Sequence, residues 1–299
     1  GPWQFVTHPL AMKTTARKKC FSRYLARSWN EPYRKIGAGM DKLFKGVSVV
    51  VAGLMAVNSP VVMAATPLRW TGGGTDTTSW TDADNWFGGV VPTLLESAAF
   101  RPIGGTISVD LGALDQSLGG FNIQDATSTL SAASFITIGS TLNRKLTLVG
   151  DIGFLNATRT VSRTLTLSLP LEIFNSANWD IIGANDAVIV SGAMSTASGQ
   201  TSTITKAGQG SLTLSGNNVL HTGGFTFQAG TLNVNNDRAL GSGTFTINGS
   251  NIKLDNTSGS SVSATGLAGV VLASNFIFTG TNNLNLGTAD VNLGANSGT

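Results

Sequence analysis

Residues 204–247 read ITKAGQGSLTLSGNNVLHTGGFTFQAGTLNVNNDRALGSGTFTI and carry the clearest structural signal in the chain. Two alternating runs, 211–214 and 230–234, stand on either side of the glycine pair at 223–224, and a third run, 244–247, follows another glycine pair. Glycine and asparagine reach left-handed backbone angles at the lowest cost, so this punctuation is typical of strands that each end in a tight corner. The segment therefore predicts short strands joined by corners.

The same alternation continues on the N-terminal side of this segment. From Leu146, the first residues of the clearest apolar triplets lie 19, 23, 24 and 20 positions apart, at Leu165, Val188, Leu212 and Leu232. A period near 20 without helical patterns indicates coils of a solenoid, whereas a β-sandwich has closer strands and hairpin signals. We therefore predict an all-β chain that folds as a right-handed parallel β-helix.

The alternation also predicts which side chains face inward. Leu212, Leu214, Leu232 and Val234 occupy equivalent places in successive runs and are expected to share one core. Amides at the corners are expected to stack as ladders along the axis; they are Asn218, Asn233, Asn235 and Asn236.

Two short segments break the pattern. Residues 93–99 are the best helix candidate, although they are short for a helix. Asn248-Gly249 is a hairpin signal and predicts a local hairpin at 244–254.

Charge divides the chain into two parts. Residues 1–65 contain 10 of the 19 Lys and Arg but 2 of the 16 Asp and Glu, so the remainder has nine bases and 14 acids. This acidic remainder offers no cationic stripe for phosphates, which argues against nucleic acid as a partner. The one cysteine, Cys20, lies in the basic part, so a disulfide framework is excluded.

Residues 1–65 are interpreted as a leader that contains a signal peptide. A short charged start at Met40 precedes the apolar run 47–57, then Pro60, and small residues allow cleavage after Ala64. The alternative is a transmembrane helix, but the apolar run would span only about 16 Å at 1.5 Å per residue, roughly half of the hydrocarbon core. Translation could start at Met12 or at Met40.

Residues 66–104 are predicted to form an N-terminal cap that contains Trp70, Trp80 and Trp86. In the structural interpretation, the three indoles cover the open core and the strand edge of the first coil. In the alternative, they form an aromatic platform that contacts sugar rings. Asp82, Asp84 and Asn85 lie among them; we favour a turn, although their oxygens could serve calcium.

Candidate catalytic groups are sparse. His221 is the one histidine after residue 65, and we predict that it is a solvated loop residue. The chain has no G-x-S-x-G, H-E-x-x-H, P-loop or G-x-G-x-x-G motif, and its acids are scattered. The sequence therefore predicts no catalytic residue, no metal site, no cofactor and no enzymatic activity, although acids from neighbouring coils could meet after folding.

The segment 204–247 resembles the autotransporter-associated β-strand repeat of bacterial type V secreted passenger domains. It departs from that pattern at 219–221, where the family has one fewer residue and a tyrosine. The matching positions are Gly208, Gly210, Leu212, Thr213, Leu214, Ser215, Gly216, Asn218, Gly223, Gly224, Ala229, Gly230, Thr231 and Leu232.

The resemblance implies an organisation and a function. Residues 105–299 are expected to be β-helix passenger repeats cut short at the C-terminal end, with an outer-membrane translocator barrel further downstream. The expected product is an exported, non-enzymatic structural or adhesive fragment on the cell surface that contacts host cells or glycans. Two alternatives stay open: a carbohydrate-active β-helix lyase or hydrolase, and a glycan-binding module that uses the tryptophan cluster.

Overall fold

The computed structural model describes residues 66–101, 104–124, 132–155 and 160–294, and the predicted leader lies outside them. The described residues contain one 3-10 turn, Ala83–Asn85, and otherwise strands and their connections. The strands are β1 Thr66–Arg69, β2 Glu96–Phe100, β3 Gly105–Asp110, β4 Gln116–Leu118, β5 Gly120–Ile123, β6 Ser134–Gly139, β7 Leu146–Leu148, β8 Ile152–Phe154, β9 Arg163–Ser168, β10 Leu171–Ile173, β11 Ala177–Asp180, β12 Ala187–Val190, β13 Met194–Thr196, β14 Ile204–Ala207, β15 Ser211–Leu214, β16 Phe225–Phe227, β17 Gly230–Val234, β18 Thr244–Ile247, β19 Ile252–Asp255, β20 Val262–Ser263, β21 Gly269–Leu272, β22 Ile277–Phe278, β23 Leu284–Asn285 and β24 Val291–Asn292.

These strands form parallel sheets in which each neighbour comes from the next coil. A ten-strand sheet has the order β1-β2-β5-β8-β11-β14-β16-β18-β21-β24, and an eight-strand sheet has the order β3-β6-β9-β12-β15-β17-β19-β22. The remaining strands form a four-strand sheet, β4-β7-β10-β13, and a pair, β20-β23. In chain order, each of them follows a strand of the eight-strand sheet and precedes a strand of the ten-strand sheet. The prediction of an all-β parallel β-helix is confirmed.

Apolar side chains stack in columns inside the coils because the pairing is in register. In the eight-strand sheet, Val188 pairs with Leu212 and Leu212 with Leu232, while Leu214 pairs with Val234. All are buried, so the prediction that Leu212, Leu214, Leu232 and Val234 share one core is confirmed. At roughly 25 cal/mol per Å² of buried apolar surface, such columns are the main stabilising contribution.

Glycine is required where corners of successive coils touch. Gly208 ends β14 with a φ of +74°, and a Cβ there would lie 2.3 Å from the carbonyl oxygen of Ile181 in the preceding coil. Gly230 has a φ of +78°, and a Cβ would lie 2.4 Å from the carbonyl oxygen of Gly210. Both the backbone angle and the space therefore exclude a side chain.

Two local predictions are wrong. Residues 96–100 form β2 in the ten-strand sheet and not a helix, because they pair in register with β1 and β5. Strands β18 and β19 lie in different sheets and each pairs in parallel with other coils, so Asn248-Gly249 makes a corner and not a hairpin. Inter-coil pairing overrides the local turn preference in both cases.

The predicted asparagine ladder is also wrong, because these amides bond to threonine hydroxyls and to backbone groups and not to one another. Asn233 donates to Thr213 Oγ1 at 2.9 Å, Asn235 donates to Thr257 Oγ1 at 2.9 Å, and Asn236 accepts from the Arg238 N–H. Asn218 is fully buried, where its Oδ1 accepts from Met194 N–H at 2.8 Å and its Nδ2 donates to Ala239 O at 2.7 Å. It thereby joins three coils on a side where the four-strand sheet has ended.

The described residues contain no helix that is both long and apolar enough to cross a membrane.

Candidate functional site

The three tryptophans proposed as a sugar platform lie inside the cap. Trp80 is fully buried, and Trp70 and Trp86 are 8% and 2% exposed. The Trp86 ring packs edge-on against both others with centroids 4.9 Å apart, and its Nε1–H donates to Trp80 O at 2.8 Å. No ring face is presented to solvent, so the structure corrects the glycan-contact interpretation of these residues and agrees with a core-covering cap.

The acidic stretch beside them folds as a turn. Asp82 accepts from the Asp84 N–H at the start of the 3-10 turn. Asn85 is fully buried; its Nδ2 donates to Asp76 O and Ser79 O, and its Oδ1 accepts from Gly74 N–H at 2.8 Å. Among the described residues, no three His, Cys, Asp or Glu side chains are grouped so that they could hold a metal ion.

His221 is buried, so the prediction that it is a solvated loop residue is wrong. Its Nε2 lies 3.1 Å from Gly224 O, and its Nδ1 lies 3.1 Å from Thr196 Oγ1 in the preceding coil. A carbonyl only accepts, so Nε2 carries the hydrogen and Nδ1 accepts from the threonine hydroxyl. Burial lowers the pKa of His221, against the opposing effect of the Gly224 contact. The side chain is thus a neutral link between coils.

Arg163 and Asp186 form a buried ion pair where the ten-strand and eight-strand sheets meet. Arg163 Nε donates to Asp186 Oδ1 at 2.8 Å and Nη2 to Oδ2 at 2.6 Å, and both side chains are almost fully buried. Gly183 N–H also donates to Oδ2, and the guanidinium lies 5.3 Å from the ring centre of Phe154. Because each charge is matched by the other, the pair holds adjacent coils together and leaves no free ionisable group there.

Lys206 is a second cation inside the coils. It pairs in register between Trp179 and Phe227 and is 1% exposed. Its Nζ donates to Ala207 O at 2.9 Å, Gly208 O at 2.7 Å and Ala229 O at 2.8 Å, the last in the following coil. Burial lowers the pKa of Lys206 to about 7, while the Asp180 carboxylate opposes this effect. Burial in turn raises the pKa of Asp180.

A shallow groove of about 510 Å³ lies beside the β20-β23 pair near the C-terminal end of the described coils. Asp237, Asn283 and Asn285 line it together with Phe278, which is 45% exposed. Asp237 Oδ1 accepts from Ser263 N–H and Asn285 Oδ1 from Gly287 N–H, which leaves the second carboxylate oxygen and the amide nitrogens. Carboxylate and amide groups hydrogen-bond hydroxyls, and an aromatic ring packs on the apolar face of a sugar. The groove therefore has a chemistry that suits a hydroxyl-rich ligand.

The outer faces of the long sheets are dominated by hydroxyls over several coils. Thr205, Thr226 and Thr246 pair in register across the ten-strand sheet. The outward positions of β9, β15 and β17 in the eight-strand sheet carry five hydroxyls and one amide, whereas β12 between β9 and β15 carries Ala187 and Ile189. The polar positions are Thr164, Thr166, Ser211, Thr213, Thr231 and Asn233.

The buried charged residues can be recognised from their positions in the alternating runs, although not from the overall composition. Arg163 stands two places before Leu165 and four before Leu167, in phase with residues that face the core. Lys206 is likewise in phase with Ile204. A charge at an inward position of an alternating run indicates a buried, paired group, whereas the identity of its partner depends on the corner geometry.

No family model, curated protein or solved structure matches this chain, so its architecture and its residues carry the functional argument.

Proposed function

We propose that the chain is an exported β-helical passenger fragment with a structural or adhesive role on the outer surface of a Gram-negative-type bacterium. It would extend from an outer-membrane translocator barrel and contact host cells or glycans. The observation that carries the proposal is the unbroken parallel stack, in which strands of the ten-strand sheet come from successive coils. The resemblance of residues 204–247 to passenger repeats supports the same role.

The stack supports this role because every coil contacts chiefly its two neighbours. Adjacent strands are about 4.8 Å apart, so length grows in proportion to the number of coils without a change in cross-section. Such an architecture places a surface at a distance from its anchor. It also lets coils dock one after another as a chain emerges, and each docking step makes backward movement less favourable.

The outer faces suit an adhesive surface that does not depend on charge. Columns of threonine hydroxyls, such as Thr205, Thr226 and Thr246, offer hydrogen-bond donors and acceptors at a constant spacing. Contacts of this type are screened little by salt, in contrast to a surface that binds through ion pairs.

The test uses bacteria that express the full gene. Antibodies against residues 66–299 should label intact cells, and added protease should remove the label without cell lysis. Adhesion of these cells to glycan-coated or epithelial surfaces should fall after deletion of the gene. Protein that stays inside intact cells, inaccessible to protease, would contradict the proposal.

A second candidate is a glycan-binding module, and the groove beside the β20-β23 pair favours it. The binding surface would then contain Phe278 and Asn285 and not the buried tryptophans. Purified protein should be retained on a glycan column, and Phe278→Ala should reduce retention at least tenfold. Leu142→Ala, at an exposed leucine outside the groove, is the matched control. Release of reducing ends or unsaturated sugars would favour the carbohydrate-active enzyme instead.

A further inference from the structure

One exposed corner of the stack carries the only Asn-Gly sequence in the chain. Residues 248–251 connect β18 to β19, and Asn248, Gly249 and Ser250 are all exposed. Asparagine is a thermolabile residue, and it is most labile before glycine, which has no side chain to hinder attack of its backbone nitrogen on the asparagine amide. The corner therefore exposes a chemically labile pair to water.

Packing against the preceding coil makes glycine necessary at position 249. A Cβ on Gly249 would overlap the backbone of Gln228, at the carbonyl oxygen first. Asn248 is not constrained in this way: in the part of the chain that the structure describes, its side-chain amide makes no hydrogen bond, so Cγ is open to attack. A substitution that removed the labile pair at Gly249 would therefore disturb the junction between coils.

Three backbone N–H groups hold this corner between its two neighbours. Asn248 N–H and Ser250 N–H donate to carbonyl oxygens of the preceding coil at 2.9 and 3.0 Å. Gly249 N–H donates instead to Ser274 Oγ at 2.9 Å, in the corner that follows β21 in the next coil. The nitrogen of Gly249 is the nucleophile of the reaction, so its bond to Ser274 opposes the movement towards Asn248 Cγ.

We propose that Asn248 is a spontaneous deamidation site and that docking of the following coil, through Ser274, sets its rate. The nitrogen of Gly249 loses its proton to hydroxide and bonds to Asn248 Cγ, while the Cγ–Nδ2 bond breaks and ammonia leaves with a proton from water. Water then opens the five-membered succinimide at either carbonyl, which gives aspartate or isoaspartate. One water molecule is consumed and one ammonia is released, without any redox change. The reaction needs no enzyme or cofactor, so it holds whether or not the fragment is an adhesin.

Isoaspartate at this position would open the junction with the preceding coil. The main chain would then run through Cβ and Cγ of residue 248 and gain one carbon atom. Gly249 lies so close to the preceding coil that it cannot accept even one added carbon, so the backbone bonds of Asn248 and Ser250 could not both persist. The product also places a carboxylate where the asparagine was neutral. Strands β18 and β19 should therefore be held less firmly on β16 and β17.

The experiment is ageing of the purified full chain in mildly alkaline buffer, followed by peptide mass spectrometry and an isoaspartate-specific methylation assay. Ser274→Ala should raise the deamidation rate constant of Asn248 by roughly two- to tenfold, the range that corresponds to one lost hydrogen bond. Ser195→Ala, at a partly exposed position of β13 in another sheet, is the matched control and should leave the rate unchanged. Asn248→Gln should yield no isoaspartate in this corner. An unchanged rate in Ser274→Ala would overturn the proposal.

The wild-type chain provides a test that does not depend on the folding of any variant. Asn248 should deamidate about tenfold faster or more in denaturant than in the folded chain, because unfolding releases all three N–H groups of the corner together. Hydrogen exchange of the aged folded protein should show lower protection in β16, β18 and β19 than in fresh protein, with β6 and β9 unchanged. Equal rates in the folded and unfolded chain would overturn control by docking, and unchanged protection after ageing would overturn the opening of the junction.

Discussion

The N-terminal cap and the coils of residues 204–247 bury apolar side chains by different means. In the coils, inward residues stack in register on the residues of the neighbouring coils, as Leu212 does on Val188 and Leu232. In the cap, Trp70, Trp80 and Trp86 pack against one another, and residues 78–80 close one end of β3 through hydrogen bonds with Asp110. The comparison shows that an alternating apolar pattern is enough to pack one coil on the next. The end of the stack has no such partner, so it is closed by contacts between particular side chains.

The largest expected effect is in the cap, where one side chain serves several contacts. Trp86→Ala should cost about 3–5 kcal/mol of unfolding free energy, because it removes a ring that touches Trp70, Trp80 and Phe100. Denaturant unfolding measures the loss. The exposed Phe87 gives the control, since Phe87→Ala should cost under about 1 kcal/mol. Equal costs for the two variants would mean that the cap is not organised around the indole cluster.

Truncation of one core leucine in the coils should cost a similar unfolding free energy, but the loss of protection should appear in other coils. Leu214→Ala should cost about 2–5 kcal/mol, because Leu214 is fully buried between Val190 and Val234. Hydrogen exchange should show the loss of protection in the coils on both sides, whereas Trp86→Ala should affect mainly the first coils. A cost below about 0.5 kcal/mol would contradict the inward placement of Leu214.

Removal of one polar side chain in the cap should have an intermediate effect on the free energy of unfolding. Asn85→Ala should cost about 1–3 kcal/mol, because it leaves Gly74 N–H, Asp76 O and Ser79 O without the amide that joins them. Thermal unfolding of Asn85→Ala and of Asn178→Ala, at an exposed position of β11, should differ accordingly. Equal stability of the two variants would mean that the Asn85 amide contributes little to holding the cap together.

An effect similar in size to that of Asn85→Ala tests the contact between corners. Gly208→Ala should cost about 1–3 kcal/mol, because a Cβ would lie 2.3 Å from Ile181 O and the φ of +74° disfavours alanine. Gly259→Ala shares the positive φ but has no atom within 4 Å of the added Cβ, so it should cost about 1 kcal/mol or less. Their difference, measured by denaturant unfolding, isolates the inter-coil clash from the backbone preference.

The same comparison explains how much could be predicted from the sequence. The alternation around Leu212 and Leu232 identifies a parallel β-helix, because the same pattern recurs in each coil and side chains alternate with a period of two. The failures arose where a contact depends on another coil. His221 lies in a turn-forming stretch of the sequence, and only the approach of Thr196 and Gly224 makes it a buried link.

The cap shows a related limit. Three indoles among turn residues favour a core cover but also fit a sugar platform, because sequence does not show which way a ring in an irregular segment faces. The structure decides the matter through burial: Trp80 lies wholly inside. Asn218 was recognised as a corner residue, but its bonds to Met194 and Ala239 depend on the end of the four-strand sheet.

The corners between the ten-strand and eight-strand sheets differ in length while the strands that they join stay in register. Residues 181–186 connect β11 to β12, whereas residues 228–229 connect β16 to β17. In the longer corner only Ala184 and Asn185 are exposed, while Asp186 folds back to pair with Arg163, and the strands on either side keep their register. A longer surface loop costs little additional closure entropy. Insertions can therefore accumulate along one edge of the rod, which makes that edge the place where related chains can acquire new specificities without refolding.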